Sequence, residues 1–317
     1  MLLLLAIPVL AGCSDDDDKP EAEPSETVST SAPAYDPSLE PAAAVLPLVP
    51  DDANRLAVTD YEQVRLQLGN PDLTDLSDRL RQRYWSQVEA ETAALSPGVL
   101  RDADAELRST YRFSQDDVVW EAHFGNEQGA TGWVLKFRDD LPMKRVVRAV
   151  EAGVGPLEGV KVAVDQHVIG TGTATDTAAS WATDEAISAL VGGPAVATYA
   201  ERGCIAFEDL YGEGVLDQLA SGPSTDVDDL AELPAYTVAF GGRLATARLG
   251  DARGDTFLRS RIADALPETD PDFTGGFTRP VADPSSGRIG YTLADPRVAV
   301  DLTLTRQLPF AACGDQA

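Results

Sequence analysis

The sequence is poor in the groups from which most catalytic centres are built. Its 317 residues hold two histidines (His123 and His167), three cysteines and four lysines. So few imidazoles and thiols leave a zinc site short of ligands, and no H-E-x-x-H pair is present. No serine lies in a G-x-S-x-G turn or an S-x-x-K pair, so the familiar serine-nucleophile signatures are missing. Gly170-Thr171-Gly172-Thr173 lacks the third glycine of a dinucleotide loop and reads as a turn. No cofactor and no metal site is therefore expected. After residue 11 no apolar run approaches the 18 or so residues of a membrane span. Positive charge is scarce as well: 52 acids face 25 bases, a net charge of −27. A field of that sign repels phosphate backbones and argues against nucleic acid as a partner.

What is present is enough apolar material to fold. Hydrophobic residues make up 44% of the chain, which supports a real core and excludes wholesale disorder. About 265 residues remain once the amino-terminal segments below are set aside, the size of one large domain or two ordinary ones.

Residues 2–11 are ten apolar residues in a row, the length of a signal-peptide core and too short to cross a bilayer of about 30 Å. They end in Leu10-Ala11-Gly12-Cys13. This resembles the lipobox of bacterial lipoproteins. The resemblance implies that residues 1–12 are a signal peptide removed just before Cys13. It further implies that the Cys13 thiol takes a diacylglyceryl group, and that the protein is held on the extracytoplasmic face of the cell membrane. Arginine outnumbers lysine by 21 to 4, a usage that with the lipobox points to a high-GC bacterium such as an actinobacterium. Once Cys13 is lipidated, Cys204 and Cys313 remain as an even pair in an oxidising compartment, and a disulfide between them is expected. Residues 13–44 open with Asp15-Asp16-Asp17-Asp18 and continue in Glu, Ser, Thr, Pro and Ala; such a composition stays extended and reads as a tether.

The folded part is expected from Val45. Arg55–Thr59 reads as a strand running into a helix capped by Asp60, with Gln63 three residues on and Gly69 as the stop. Leu73, Leu76, Leu80, Tyr84 and Val88 recur at helical spacing. Val118–Phe124 and Trp133–Arg138 alternate as a hairpin. A helix capped by Asp140 and a strand over 160–169 follow. A similar order recurs from about Thr237: a hairpin through Gly241-Gly242, a helix over 256–266, and a closing pair of strands at 288–293 and 298–304. The sequence thus predicts an α+β fold, antiparallel sheets backed by helices, in two duplicated halves at 45–203 and 204–317.

No residue stands out as a catalytic group. His123 and His167 alternate with the inward residues of their predicted strands, which turns both rings to solvent or to the opposite sheet face. Trp120 and Trp133 fall on inward faces of one hairpin, where they line a core or a cavity; Trp85 and Trp181 are expected in the core. Asp270-Pro271-Asp272-Phe273-Thr274-Gly275 mimics the first half of a calcium loop, but Val281 stands where the bidentate Glu belongs, so a turn is expected. The anchor, tether and cysteine pair favour an envelope module that binds an apolar ligand or another envelope protein. The alternatives are a carboxylate-dependent extracytoplasmic hydrolase and a purely structural lipoprotein.

Overall fold

The computed structural model describes residues 35–70, 72–73, 76–215, 229–265 and 272–313. Residues 1–12, expected as a signal peptide, Cys13, the expected tether as far as residue 34, and Asp270-Pro271 lie outside them. The described residues form a ten-stranded sheet in which every pairing is antiparallel. The strands are β1 (Arg55–Asp60), β2 (Val118–Gly125), β3 (Thr131–Phe137), β4 (Lys161–Ala163) and β5 (Val168–Thr171). They continue with β6 (Ala197–Arg202), β7 (Ala235–Gly241), β8 (Leu244–Arg248), β9 (Phe277–Asp283) and β10 (Arg288–Leu293). With helices packed on it, this is an α+β fold.

The sheet order is β4-β5-β3-β2-β1-β6-β7-β8-β10-β9. Counted outward from the centre, each side follows the same rule: first, second, third, fifth and fourth strand of its own half. The two first strands, β1 and β6, meet antiparallel, with Ala57 opposite Tyr199. The halves are therefore not separate sheets. The recurring unit opens with β6, so the topological boundary falls before Ala197 and not at 204.

One face of the sheet is filled by helices. Over the first half, Tyr61, Tyr84, Trp85, Val146 and Ala149 pack on Leu135, Phe137 and Ile169. Over the second, Ile262, Phe273, Leu302 and Phe310 pack on Tyr236, Phe240, Ala247 and Tyr291. The other face is covered only in part. Val45, Leu46, Leu48, Val49, Trp181 and Ile187 lie on Leu56, Val58, Trp120, Ala122 and Phe124 near the sheet centre. Farther out, over β8, β10 and β9, Leu244 is 58% exposed and Val281 is 70% exposed.

The local expectations hold where the signal is local. Asp60 accepts from the N–H groups of Glu62 (2.9 Å) and Gln63 (3.1 Å) and caps the Tyr61–Gln67 helix, and Gly69 takes φ +69° just after it. Four expectations are corrected. Residues 41–44 are not tether: they form a helical turn with Ala42 and Ala44 buried, and Tyr35 packs against Trp120, so packing begins upstream of Val45. Asp140 does not cap the Lys144–Glu151 helix but pairs with Arg138. The strand over 160–169 is a tight hairpin, β4 and β5, turned by a 3-10 segment at Val164–Gln166 with His167 at φ +53°. Residues 298–304 are not a strand but lie in the Pro296–Leu304 helix. There Asp295 accepts from Arg297 N–H at the start, and Ala299, Leu302 and Thr303 face inward.

Cys204 and Cys313 are joined, with Cα atoms 4.9 Å apart and a sequence separation of 109. The chain around them pairs as well: Ile205 donates to Ala311 O and Cys313 donates to Ile205 O. Buried Arg259 donates to the carbonyls of Phe310 (3.0 Å) and Ala312 (2.8 Å) while Asp255 holds its Nε (2.8 Å). The C-terminal segment is thus fixed by a covalent bond and by a guanidinium.

Candidate functional site

Two enclosed carboxylates lie on the helical face. Glu121 on β2 is fully buried. It accepts from Ser96 Oγ, from the Val99 N–H (3.0 Å) and from Gln115 Nε2 (3.0 Å), and its Oε1 lies 2.6 Å from His123 Nε2. Glu201 on β6 is equally buried and accepts from the hydroxyls of Tyr199 and Tyr236 (2.6 Å each) and from Arg306 Nε (2.7 Å). Burial, and then the Glu201 charge, hold both phenols well above the usual tyrosine range, so each stays a donor.

Neither carboxylate is set up for hydrolysis. The register places Glu121 opposite Thr59 and Glu201 opposite Arg55, on the two sides of β1. Four residues of strand are about 13 Å at ~3.3 Å per residue. That exceeds the spacing of a glycosidase acid pair, roughly 5–9.5 Å. The Ser96–His123–Glu121 contact is not a nucleophile relay either. Ser96 Oγ (3.2 Å) and Glu121 share the same ring nitrogen, Nε2, whereas a relay needs the hydroxyl and the carboxylate on opposite nitrogens. Both glutamates use their lone pairs to hold loops and helix ends against the sheet.

The histidines do not come together. His123 points to the helical face, opposite to Trp120, Ala122 and Phe124, as its alternation predicts, and its side chain is 40% exposed. His167 lies in the turn between β4 and β5, its Nδ1 at 3.1 Å from Arg138 O. Strand β3 separates that hairpin from β2. Trp120 and Trp133 do not share a cavity. Trp133 stands opposite His123, while Trp120 stands opposite Lys136, so the two indoles project from opposite faces. Among the described residues no group of three or more His, Cys, Asp or Glu is placed to hold a metal, and no helix is long and apolar enough to cross a membrane. Of the calcium-like loop, Asp272 precedes the Phe273–Gly276 turn and accepts from Thr274 Oγ1.

The other face carries a pocket of about 220 Å³ where its cover ends. The floor is one cross-strand row, Thr198 on β6, Ala239 on β7 and Thr246 on β8, and small side chains leave the space open. The wall is the turn after the Glu185–Leu190 helix, through Gly192-Gly193-Pro194. Leu244 and Arg248 flank the floor. Arg248 donates through Nη1 to Leu190 O (3.3 Å), and its buried Nε has no partner. Burial, and then Arg288, hold its guanidinium below the usual arginine range. Its Nη2 lies so near Gly193 that a Cβ there would stand 2.8 Å away, so a larger residue at 193 would have to displace the guanidinium. A second pocket, of about 290 Å³, lies beside β4 and β5 between Leu48, Val162, Val168 and Thr173.

Sequence reasoning passed over the Arg248 pocket. The available signal was the run Leu244-Ala245-Thr246-Ala247-Arg248, which puts Thr246 and Arg248 on one face beside Leu244, together with the Gly192-Gly193 turn. No protein-family model, curated protein or solved structure matches the chain.

Proposed function

We propose that the chain is a lipid-anchored protein of the extracytoplasmic membrane face, whose sheet serves as a binding module for a ligand or an envelope partner. The lipobox-like Leu10-Ala11-Gly12-Cys13 supports the anchor, and the disulfide suits an oxidising compartment. The observation that carries the binding reading is the difference between the two faces of the sheet. The helical face is filled, and its buried acids are saturated by protein donors. On the other face the cover stops at a pocket that holds an incompletely bonded arginine. Hydrolysis by a carboxylate pair is the weaker reading, because Glu121 and Glu201 have no free side toward solvent.

The test is to purify the full chain from its native host and to identify co-purifying small molecules by mass spectrometry. The reading expects a ligand in near-stoichiometric amount, lost when Ala239→Phe fills the pocket floor. A chain that arrives empty from its host, with no envelope protein bound, contradicts it.

A further inference from the structure

We infer that the pocket beside Arg248 is a phosphate-group site. The inference rests on the binding-module reading and specifies what the module binds. Arg248 stands apart from the other inward-leaning arginines. Arg81, Arg138, Arg202, Arg259 and Arg306 each hold a carboxylate within 4 Å, and buried Arg65 donates to Val118 O, whereas Arg248 combines the lack of a carboxylate among the described residues with an unbonded buried Nε. This is notable in a chain with twice as many acids as bases. A partly buried guanidinium with an unbonded Nε is a cation without a counter-ion among the described residues.

The surroundings supply donors. The hydroxyls of Thr198 and Thr246 make no hydrogen bond with the described residues, and the N–H groups of Gly192 and Gly193 meet no protein acceptor there. A second guanidinium, Arg288, stands directly opposite Arg248 across β8 and β10. Like charges at facing positions destabilise a sheet unless an anion lies between them. The acid in that row, Asp283, faces Arg288 from the side away from Arg248; besides its hydrogen bonds from Ser285 and Ser286 it feels the Arg288 charge, so it offsets Arg288 and not Arg248. The Arg248 guanidinium, two hydroxyls and backbone donors match a tetrahedral anion better than a single planar carboxylate, with exposed Arg288 adding positive charge beside the lining. The volume admits a phosphate and a few further heavy atoms, and the nearby Leu190 and Leu244 favour an apolar continuation. The overall negative charge repels anions at long range, so this site depends on Arg248 at short range.

The source of the phosphate is either a soluble molecule or a lipid headgroup. The test uses the full chain carrying Cys13→Ala, which cannot be lipidated, and flotation is read as the difference between vesicles with and without phosphatidic acid, so that any association through residues 2–11 cancels. Calorimetry with inorganic phosphate and with glycerol phosphate forms one arm. Flotation with phosphatidylcholine vesicles, with and without phosphatidic acid, forms the other. Saturable binding of the soluble anions, weakened about 10- to 100-fold in Arg248→Met and several-fold in Thr246→Val, supports the site and assigns it to a soluble phosphate. Flotation dependent on both phosphatidic acid and Arg248 supports it and assigns a lipid headgroup. Thermal unfolding of each variant serves as the control for folding, and Thr246→Val keeps the shape of the side chain. Absence of an Arg248-dependent response in both arms overturns the inference. If a ligand then still co-purifies from the native host, the binding module stands and only the phosphate assignment falls.

Discussion

Glu201 shows what a single residue contributes when its partners come from far along the chain. It joins Tyr199, Tyr236 and, 105 residues away, Arg306, which stands at φ +62° just past the Pro296–Leu304 helix. That left-handed position closes the Pro296–Leu304 helix: the Arg306 N–H donates to Thr303 O (3.2 Å) and the Gln307 N–H to Leu302 O (2.8 Å), bonds that offset the backbone strain. Replacing Glu201 by Ala leaves two phenols and a guanidinium without their acceptor. We expect a loss near 3 kcal/mol in denaturant unfolding, the low end for a buried pair because Arg306 is partly exposed. Glu201→Gln should lose less, and equal stability of the Ala variant and the unaltered chain would contradict the role given to Glu201. Asp60 gives the second residue-scale prediction. Burial raises its carboxyl to about 6, against an unfolded value of about 3.9. Because the folded value is the higher one, its contribution is complete below pH 4 and is lost as pH rises through 6. Asp60→Asn keeps the Oδ1 acceptor for Glu62 and Gln63 and removes the titration. Between pH 4 and 6.5 the unaltered chain should lose stability relative to this variant, on the order of 2 kcal/mol; parallel stability curves would contradict the assignment. The Asp60 cap was legible in sequence because its partners lie two and three residues away. Glu201 and Arg248 were not, since Arg306 and Leu190 reach them only through the folded sheet.

Elements were legible to the extent that one period dominated. The β2–β3 and β7–β8 hairpins announced themselves by alternation. Residues 298–304 carry both periods: Val298, Val300, Leu302 and Leu304 alternate, while Ala299, Leu302 and Thr303 follow a helix. Asp295-Pro296 breaks the tie, since an aspartate cap followed by proline starts a helix. The hairpin at 161–171 was read as one strand because its turn, Val164-Asp165-Gln166-His167, has neither glycine nor proline and places His167 in the left-handed region instead. The two outer strands also show how an open sheet avoids pairing with another copy. β4 is three residues long. β9 carries Pro280, with Arg279 at φ +53° where the register shifts. Pro280→Val should restore a hydrogen-bonding edge beside exposed Val281. Sedimentation velocity is expected to show concentration-dependent association of this variant beyond that of the unaltered chain; identical distributions would show that β9 is not the guarded edge.

At the scale of the whole described unit, the α+β class and the recurrence of order were readable, but their union in one sheet was not. β6 was missed, and without it nothing in the sequence joins the halves at β1. The cover over 41–49 was hidden because Pro41-Ala42-Ala43-Ala44 has the small, proline-containing composition of the segment before it. The disulfide followed from parity, and its effect is global. Closing a loop of 109 residues stabilises by about 4–5 kcal/mol in the chain-entropy account. Arg259 keeps the C-terminal segment docked when the bond is opened. Cys313→Ser should therefore remain folded and melt about 5–10 °C lower, with reductant reproducing the shift in the unaltered chain. A melting temperature insensitive to both would contradict the bond's role.

The central claim, a binding module held at the membrane by lipid, turns on Cys13. Its most direct measurement is incorporation of labelled palmitate in a bacterial host, with fractionation of cells and medium. The account predicts a labelled, membrane-associated protein, and for Cys13→Ala no label, with the protein either shed to the medium or retained with residues 1–12 uncleaved. Equal labelling and equal membrane association of the two proteins would contradict it.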